Sequence, residues 1–104
     1  MIQGEIRWHS FKEPNKRRPV LILIRNELIS ELTKITVAEI TTTIRGIESE
    51  VLLDIFDGMF DDCAVNLTNI HTIPKEKIGG HITHLSEDRM NEVFEAIKFA
   101  FDFE

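Results

Sequence analysis

The stretch Arg17-Arg18-Pro19-Val20-Leu21-Ile22-Leu23-Ile24-Arg25 limits the folds open to this chain more than any other. Its aliphatic run has no polar break, the pattern of a strand covered on both faces. Pro19 opens the run, where a missing N–H costs least because the ladder has not begun. A doubly covered strand in 104 residues draws most of the other apolar residues around it, which predicts one domain over 1–104 with a single compact core. Arg17 and Arg18 stand at the mouth of that strand. A guanidinium stays charged and presents its donors in a rigid fork, so Arg18 on such an anchor suits a phosphate or a carboxylate. The plainer reading is a cation that keeps a strand end wet.

Charge narrows the partners. The net charge of −6 argues against a general nucleic-acid binder. The distribution is uneven, with 8 basic against 7 acidic residues in 1–50 and 4 against 11 in 51–104. Lys12, Lys16, Arg17 and Arg18 make a local positive patch, and such a patch on an acidic body selects one anionic ligand while repelling bulk polyanion. No apolar run approaches a membrane span. Met1 to Glu5 lacks the basic-then-apolar pattern of a leader. The single Cys63 excludes an internal disulfide and fits a reducing cytosol, so a cytoplasmic protein is expected.

Strands are predicted over Gly4–Trp8, Pro19–Ile24, Ile35–Ile44, Glu50–Ile55, Cys63–Ile73 and Ile78–Leu85, with a short helix or turn over Asn26–Leu32. In the third strand, Ala38, Ile40, Thr42 and Ile44 share one face and read as core. Val37, Glu39, Thr41 and Thr43 share the other, which is mostly polar and able to line a site. Pro14-Asn15 and Asp57-Gly58 mark turns. Ser86 caps a last helix whose first turn carries Glu87 and Asp88. Met90, Val93, Phe94, Ile97 and Phe101 form its inward stripe, while Phe99 and Phe103 fall off it and suit a partner. Short strands and one C-terminal helix predict a mainly β (α+β) fold, a small bent antiparallel sheet or barrel capped by that helix.

Metal chemistry finds no motif. His81 and His84 are three apart on a strand, no helical histidine pair exists, and the carboxylates Asp54, Asp57, Asp61 and Asp62 match no calcium loop. Gly4-Glu5-Ile6, Arg18-Pro19-Val20-Leu21-Ile22-Leu23, Ile40-Thr41 and Asn69-Ile70-His71-Thr72-Ile73 follow one another in an order that resembles the MazF/PemK toxins. The Ile40-Thr41-Thr42-Thr43 and Arg45-Gly46 pattern is similar to a short-loop branch of that family. Two departures stand out. The loop from Trp8 to Arg18 is short and lacks the usual glycines, and His71 replaces a permanent cation.

The resemblance implies an SH3-like small β-barrel, a homodimer, a cognate antitoxin partner, and cofactor-free cleavage of single-stranded RNA. It places the catalytic pair on Arg18 and Thr41. RNA carries its own nucleophile in the 2′-OH, so alignment and electrostatics supply most of the rate. Arg18 would stabilise charge on the phosphorane and Thr41 would hydrogen-bond a non-bridging oxygen. Lys16, Arg17 and Arg45 would hold flanking phosphates, with Thr43 in the same RNA-binding set and Thr68 and Asn69 reading base edges. Glu39 and His9 are candidates for the base. Two other classes stay open. A gyrase-poisoning sister toxin ends in Trp-Gly-Ile, where this chain ends Asp102-Phe103-Glu104, and a silent SH3-like adaptor needs neither Arg18 nor Thr41.

Overall fold

A computed structural model describes residues 1–10 and 17–102. Six strands, β1 (Glu5–Ser10), β2 (Arg17–Ile22), β3 (Lys34–Thr41), β4 (Glu50–Leu53), β5 (Cys63–Pro74) and β6 (Ile78–His84), join one antiparallel sheet in the order β4-β5-β3-β2-β1-β6. Helix α1 (Asn26–Ile29) follows β2, and helix α2 (Glu87–Phe101) ends the chain. The turn at Pro14-Asn15 and residues Lys12, Lys16 and Phe103 lie outside the described residues. No helix among the described residues is long and apolar enough to cross a membrane.

β2 is covered on both faces, as its unbroken apolar run predicts. Leu21 joins Ile6, Ala38, Ile40, Val65 and Val93 in a cluster that reaches α2. Val20 and Ile22 join Ile29, Ile35, Val37 and Ile73 in a second cluster on the opposite face. The strand period of two deals alternate residues to the two clusters. This second cluster also buries Val37, which the polar-face reading of the third strand had set beside Glu39 and Thr41. The same reading placed Thr42 and Ile44 in the core. β3 instead stops at Thr41, and both residues are exposed in the following loop.

Ser86 caps α2, its hydroxyl accepting the Arg89 N–H at 3.1 Å. Met90, Val93 and Ala96 are buried, but Phe94 and Phe101 are exposed. Ile97 packs against the same cluster, so Met90, Val93 and Ile97 of the expected stripe face inward, and the small Ala96 joins them where that stripe had no member.

β4 and β6 are the two edges of the sheet and do not pair with each other. The barrel description is therefore loose: side chains, not a ladder, bring the edges together at one corner. After β4 a 3-10 turn (Ile55–Asp57) is held by a reciprocal capping box between Asp54 and Asp57. Thr83 of β6 donates its hydroxyl proton to the Asp57 carbonyl at 3.0 Å. Gly58, at φ +92°, follows, and a Cβ there would collide with Thr83. Arg89 of α2 grips the Asp57 carboxylate with two hydrogen bonds, at 3.0 and 3.2 Å.

Candidate active site

The face that carries Val20, Ile22, Ile35 and Val37 turns polar toward one end of β2 and β3. Arg18 precedes Val20 by two residues, and Glu39 and Thr41 follow Val37 by two and four, so the period of two sets all three beyond the apolar cluster. β5 supplies a bulge at that point. Ala38 faces Ile70, yet the next residue, Glu39, faces Asn66, so Leu67, Thr68 and Asn69 are extra on β5. Leu67 turns into the core, and Asn66 and Asn69 both face the polar end.

Glu39 is the hub of this end. Its Oε1 lies 3.6 Å from Arg18 Nε. Its Oε2 accepts from Asn69 Nδ2 at 2.8 Å and lies 2.8 Å from His71 Nε2. Thr41 Oγ1 accepts the Thr43 N–H at 3.0 Å, which fixes the oxygen and leaves its own proton to donate elsewhere. The loop after Thr41 is shaped by Glu50, whose carboxylate accepts the N–H groups of Arg45 and Gly46 at 3.0 and 2.9 Å. Gly46 sits at φ +73°, a conformation that suits glycine. Together Arg18, Glu39, Thr41, Thr43, Arg45 and Asn69 face a polar cavity of 230 Å³.

A second cavity, of 380 Å³, opens on the other side of Arg18 and Thr41, which line both. Two aromatic rings stand in its wall beside Arg17 and Asp61. The rings of Trp8 and Phe60 lie 6.2 Å apart between centroids and 16° from parallel. The Arg17 guanidinium sits 4.2 Å over the Trp8 ring. Buried Met59 and Cys63 contribute to the walls. Burial, then the charges of Asp57, Asp62, Asp61 and Asp54, push the Cys63 thiol up to about 11, so it stays a neutral apolar side chain.

The structure thus brings six of the sequence-derived candidates (Arg18, Glu39, Thr41, Thr43, Arg45 and Asn69) to one cavity and puts Arg17 in its neighbour. Thr68 is exposed at the tip of the bulge, lines neither cavity, and hydrogen-bonds Asn66 at 2.7 Å. Lys16 lies outside the described residues. His9 lines neither cavity, and its Nδ1 is 3.1 Å from the Lys77 carbonyl oxygen. Sequence reasoning missed Asn66, Glu50, Trp8 and Phe60. Trp8 ends the first predicted strand and Phe60 follows the Asp57-Gly58 turn, and no spacing rule links two aromatics so far apart in the chain.

A guanidinium and a threonine hydroxyl stand between a polar and an aromatic cavity, donor chemistry that suits an anionic group such as a phosphate. Among the described residues no group of acidic, histidine or cysteine side chains is placed to hold a metal ion. Comparison with known proteins shows the family. Residues 2–101 match the PemK-like, MazF-like toxins of type II toxin–antitoxin systems, and the chain belongs to that family. It is 41% identical to endoribonuclease MazF3 of Mycobacterium tuberculosis over 90 residues, 86% of this chain and 87% of the relative. The solved Mycobacterium tuberculosis toxin MazF-mt6 superposes with a TM-score of 0.88 at 38% identity, covering 96% of this chain and 98% of that one. A mycobacterial endoribonuclease solved in complex with its cognate antitoxin shares the fold, with a TM-score of 0.88 at 22% identity over 100% of this chain and 97% of that one.

Proposed function

We propose that this toxin, an endoribonuclease by family, cuts single-stranded RNA at a phosphate held between Arg18 and Thr41. The observation that carries the reading is that these two residues line both cavities, so a strand threaded from one to the other presents its phosphate to them. The ribose 2′-oxygen attacks phosphorus, its proton leaves to solvent, and the bond to the 5′-oxygen breaks with that oxygen taking up a proton. The products are a 2′,3′-cyclic phosphate and a 5′-OH. Arg18 stabilises the charge that builds on the phosphorane, and Thr41 donates to a non-bridging oxygen. Glu39 aims Arg18 rather than acting as base, because its carboxylate is engaged by Arg18, Asn69 and His71. Arg45, Thr43 and Asn69 contact the nucleotide on the polar side, Arg17 holds a phosphate on the other, and Lys16 is a further phosphate contact.

The reaction proceeds without a metal cofactor, since RNA supplies the nucleophile and Arg18 the charge. The test is digestion of a long single-stranded RNA in EDTA. Discrete fragments ending in cyclic phosphate and 5′-OH are expected, with no cleavage of a substrate bearing a 2′-deoxy sugar at the cut. Mass spectrometry showing 5′-phosphate ends would overturn the mechanism.

The protein works in the cytoplasm as a homodimer, restrained by a cognate antitoxin. The buried Val20, Leu21 and Ile22 need no partner to cover them. The exposed Phe94, Phe99 and Phe101 of α2 support association instead. A partly acidic antitoxin segment, ordering as it binds, would offer carboxylates to the Arg17–Arg18 end and exclude RNA.

A further inference from the structure

We propose that His71 sets the charge of the phosphate site: once protonated it balances Glu39 and lets Arg18 act on RNA with its full charge, so RNA binding is coupled to proton uptake at His71. This rests on the reading of Arg18 and Thr41 as the phosphate site and gives that site a positioning residue that acts through Glu39.

The first support is the contact itself. An ionised carboxylate only accepts, so the His71 Nε2 at 2.8 Å from Glu39 Oε2 carries a hydrogen and donates it. That holds for the neutral ring and the charged ring alike, so His71 can gain a proton without leaving its place. The second support is position. Glu39 stands between Arg18, 3.6 Å from its Oε1, and His71 on its Oε2. Arg18 and Glu39 line the polar cavity and His71 does not, so the ring stands behind the carboxylate.

The third support is the balance of charge. Arg18 and Glu39 cancel, as do Arg45 and Glu50 across the cavity. An arriving phosphate leaves one negative charge in excess, beside a Glu39 side chain that is largely withdrawn from water. Asn69 donates to the same Glu39 oxygen at 2.8 Å but has no charge to change. Histidine changes its charge between roughly pH 5 and 8, so His71 can answer the excess. Among the described residues, the other titratable group beside Arg18 is His9 of β1, its cross-strand neighbour, whose Nδ1 lies 3.1 Å from the Lys77 carbonyl oxygen. Farther along β1 and β6, Arg7 and His81 both pair with Glu5. A proton that strengthens RNA binding is, by reciprocity, drawn in by it.

The experiment measures the affinity of the protein for a labelled 2′-fluoro single-stranded RNA, which lacks the nucleophile, between about pH 8 and 6 at constant ionic strength. Affinity should rise about fivefold as the pH falls, the low end of coupling between two sites. His71→Gln keeps a donor for Glu39 but no titrating proton, so its affinity should change by less than about twofold. The same RNA in both arms removes any titration of the bases, and circular dichroism checks the fold of the variant. Calorimetry of the wild type in two buffers of different ionisation enthalpy needs no variant, and it should show net proton uptake on RNA binding. A merely structural His71 would weaken binding by the same factor at every pH. Wild-type affinity that ignores pH, a slope that survives His71→Gln, or a slope that disappears with His9→Gln instead overturns the proposal. The expected slope in a protein that cuts no RNA overturns the catalytic reading and leaves the charge balance standing.

Discussion

The molecule contains two arginine–carboxylate pairs of the same chemistry and opposite use. Arg89 meets Asp57 through two hydrogen bonds of 3.0 and 3.2 Å, a bidentate fork, and also reaches Glu92. Arg18 meets Glu39 through one long contact of 3.6 Å, and its guanidinium makes no hydrogen bond among the described residues. The first pair is used up inside the protein. It ties α2 to the 3-10 turn at the corner where the sheet edges meet. The second keeps the donors of Arg18 available, aimed by a carboxylate that Asn69 and His71 hold in place. An arginine that binds its own protein fully cannot also bind a phosphate. On the proposed reading, the contact that looks weaker is the one that suits function.

The sharpest way to break this comparison is to truncate both arginines. Arg18→Ala should lower kcat on the order of 100- to 1000-fold, the usual effect of removing one transition-state donor. Its unfolding free energy should change by no more than about 1 kcal/mol, as for a partly exposed ion pair. Arg18→Lys should recover little activity, because an ammonium cannot reproduce the planar fork. Arg89→Ala should do the reverse. It should cost roughly 1.5–3 kcal/mol of stability for lost charged hydrogen bonds, with the folded fraction as active as wild type. Urea titration and single-turnover cleavage on the same samples separate the two outcomes. An Arg18→Ala protein that fails to fold, or an Arg89→Ala protein that folds normally but is inactive, would exchange the roles.

A finer test sits on Glu39. Glu39→Gln keeps the size and one acceptor but removes the charge facing Arg18. The side chain is only partly exposed, and the charged and titratable groups around it are Arg18 from β2, His71 from β5, and Arg45 and Glu50 across the polar cavity. Loss of aim should lower kcat about tenfold, the scale of one misplaced positioning contact. The unneutralised Arg18 should hold RNA at least as tightly, so KM should not rise. A rise in KM with unchanged kcat would make Glu39 an RNA contact instead.

How much of this was legible follows from which signals are local. The unbroken run from Val20 to Ile24 announced a strand covered on both faces, and Ser86 with its acidic neighbours announced the start of α2. Both depend on neighbours in sequence. The end of β3 was not legible, because Thr42 and Ile44 continue the alternation after the ladder has stopped. The inward face of α2 was legible at Met90, Val93 and Ile97, but was drawn too far toward Phe94 and Phe101 because Ala96, not a large residue, faces the sheet. The juxtaposition of Arg18 with Thr41 came from resemblance, not from periodicity. The β5 bulge is a property of register between strands, and the pairing of Trp8 with Phe60 is a long-range contact. Neither leaves a mark in local spacing, so Asn66, Phe60 and the aromatic cavity waited for the structure.

The smallest expected effect concerns acid. Burial raises the Asp57 pKa, but the Arg89 hydrogen bond, the Asp54 backbone N–H and the charge of Arg89 more than offset it, so the carboxyl lies below its ordinary value. The folded state therefore binds a proton at Asp57 less readily than the unfolded chain does. Stability from this group is complete above the ordinary aspartate value of about 4 and is lost as pH falls through the lower folded value. Glu5 is shifted the same way, by the Ile2 N–H and Arg7 against its burial, so the wild-type acid slope is not due to Asp57 alone. The comparison with Asp57→Asn isolates it. That substitution keeps the size of the side chain, leaves Glu5 untouched and leaves Arg89 its contact with Glu92. Urea unfolding between about pH 6 and 3 should then show the variant less stable at the upper end, with the gap to wild type narrowing as the pH drops. A gap that stayed constant across that range would mean the Asp57 charge contributes nothing to the corner. The fork with Arg89 would then be a matter of shape, as replaceable as any neutral hydrogen bond.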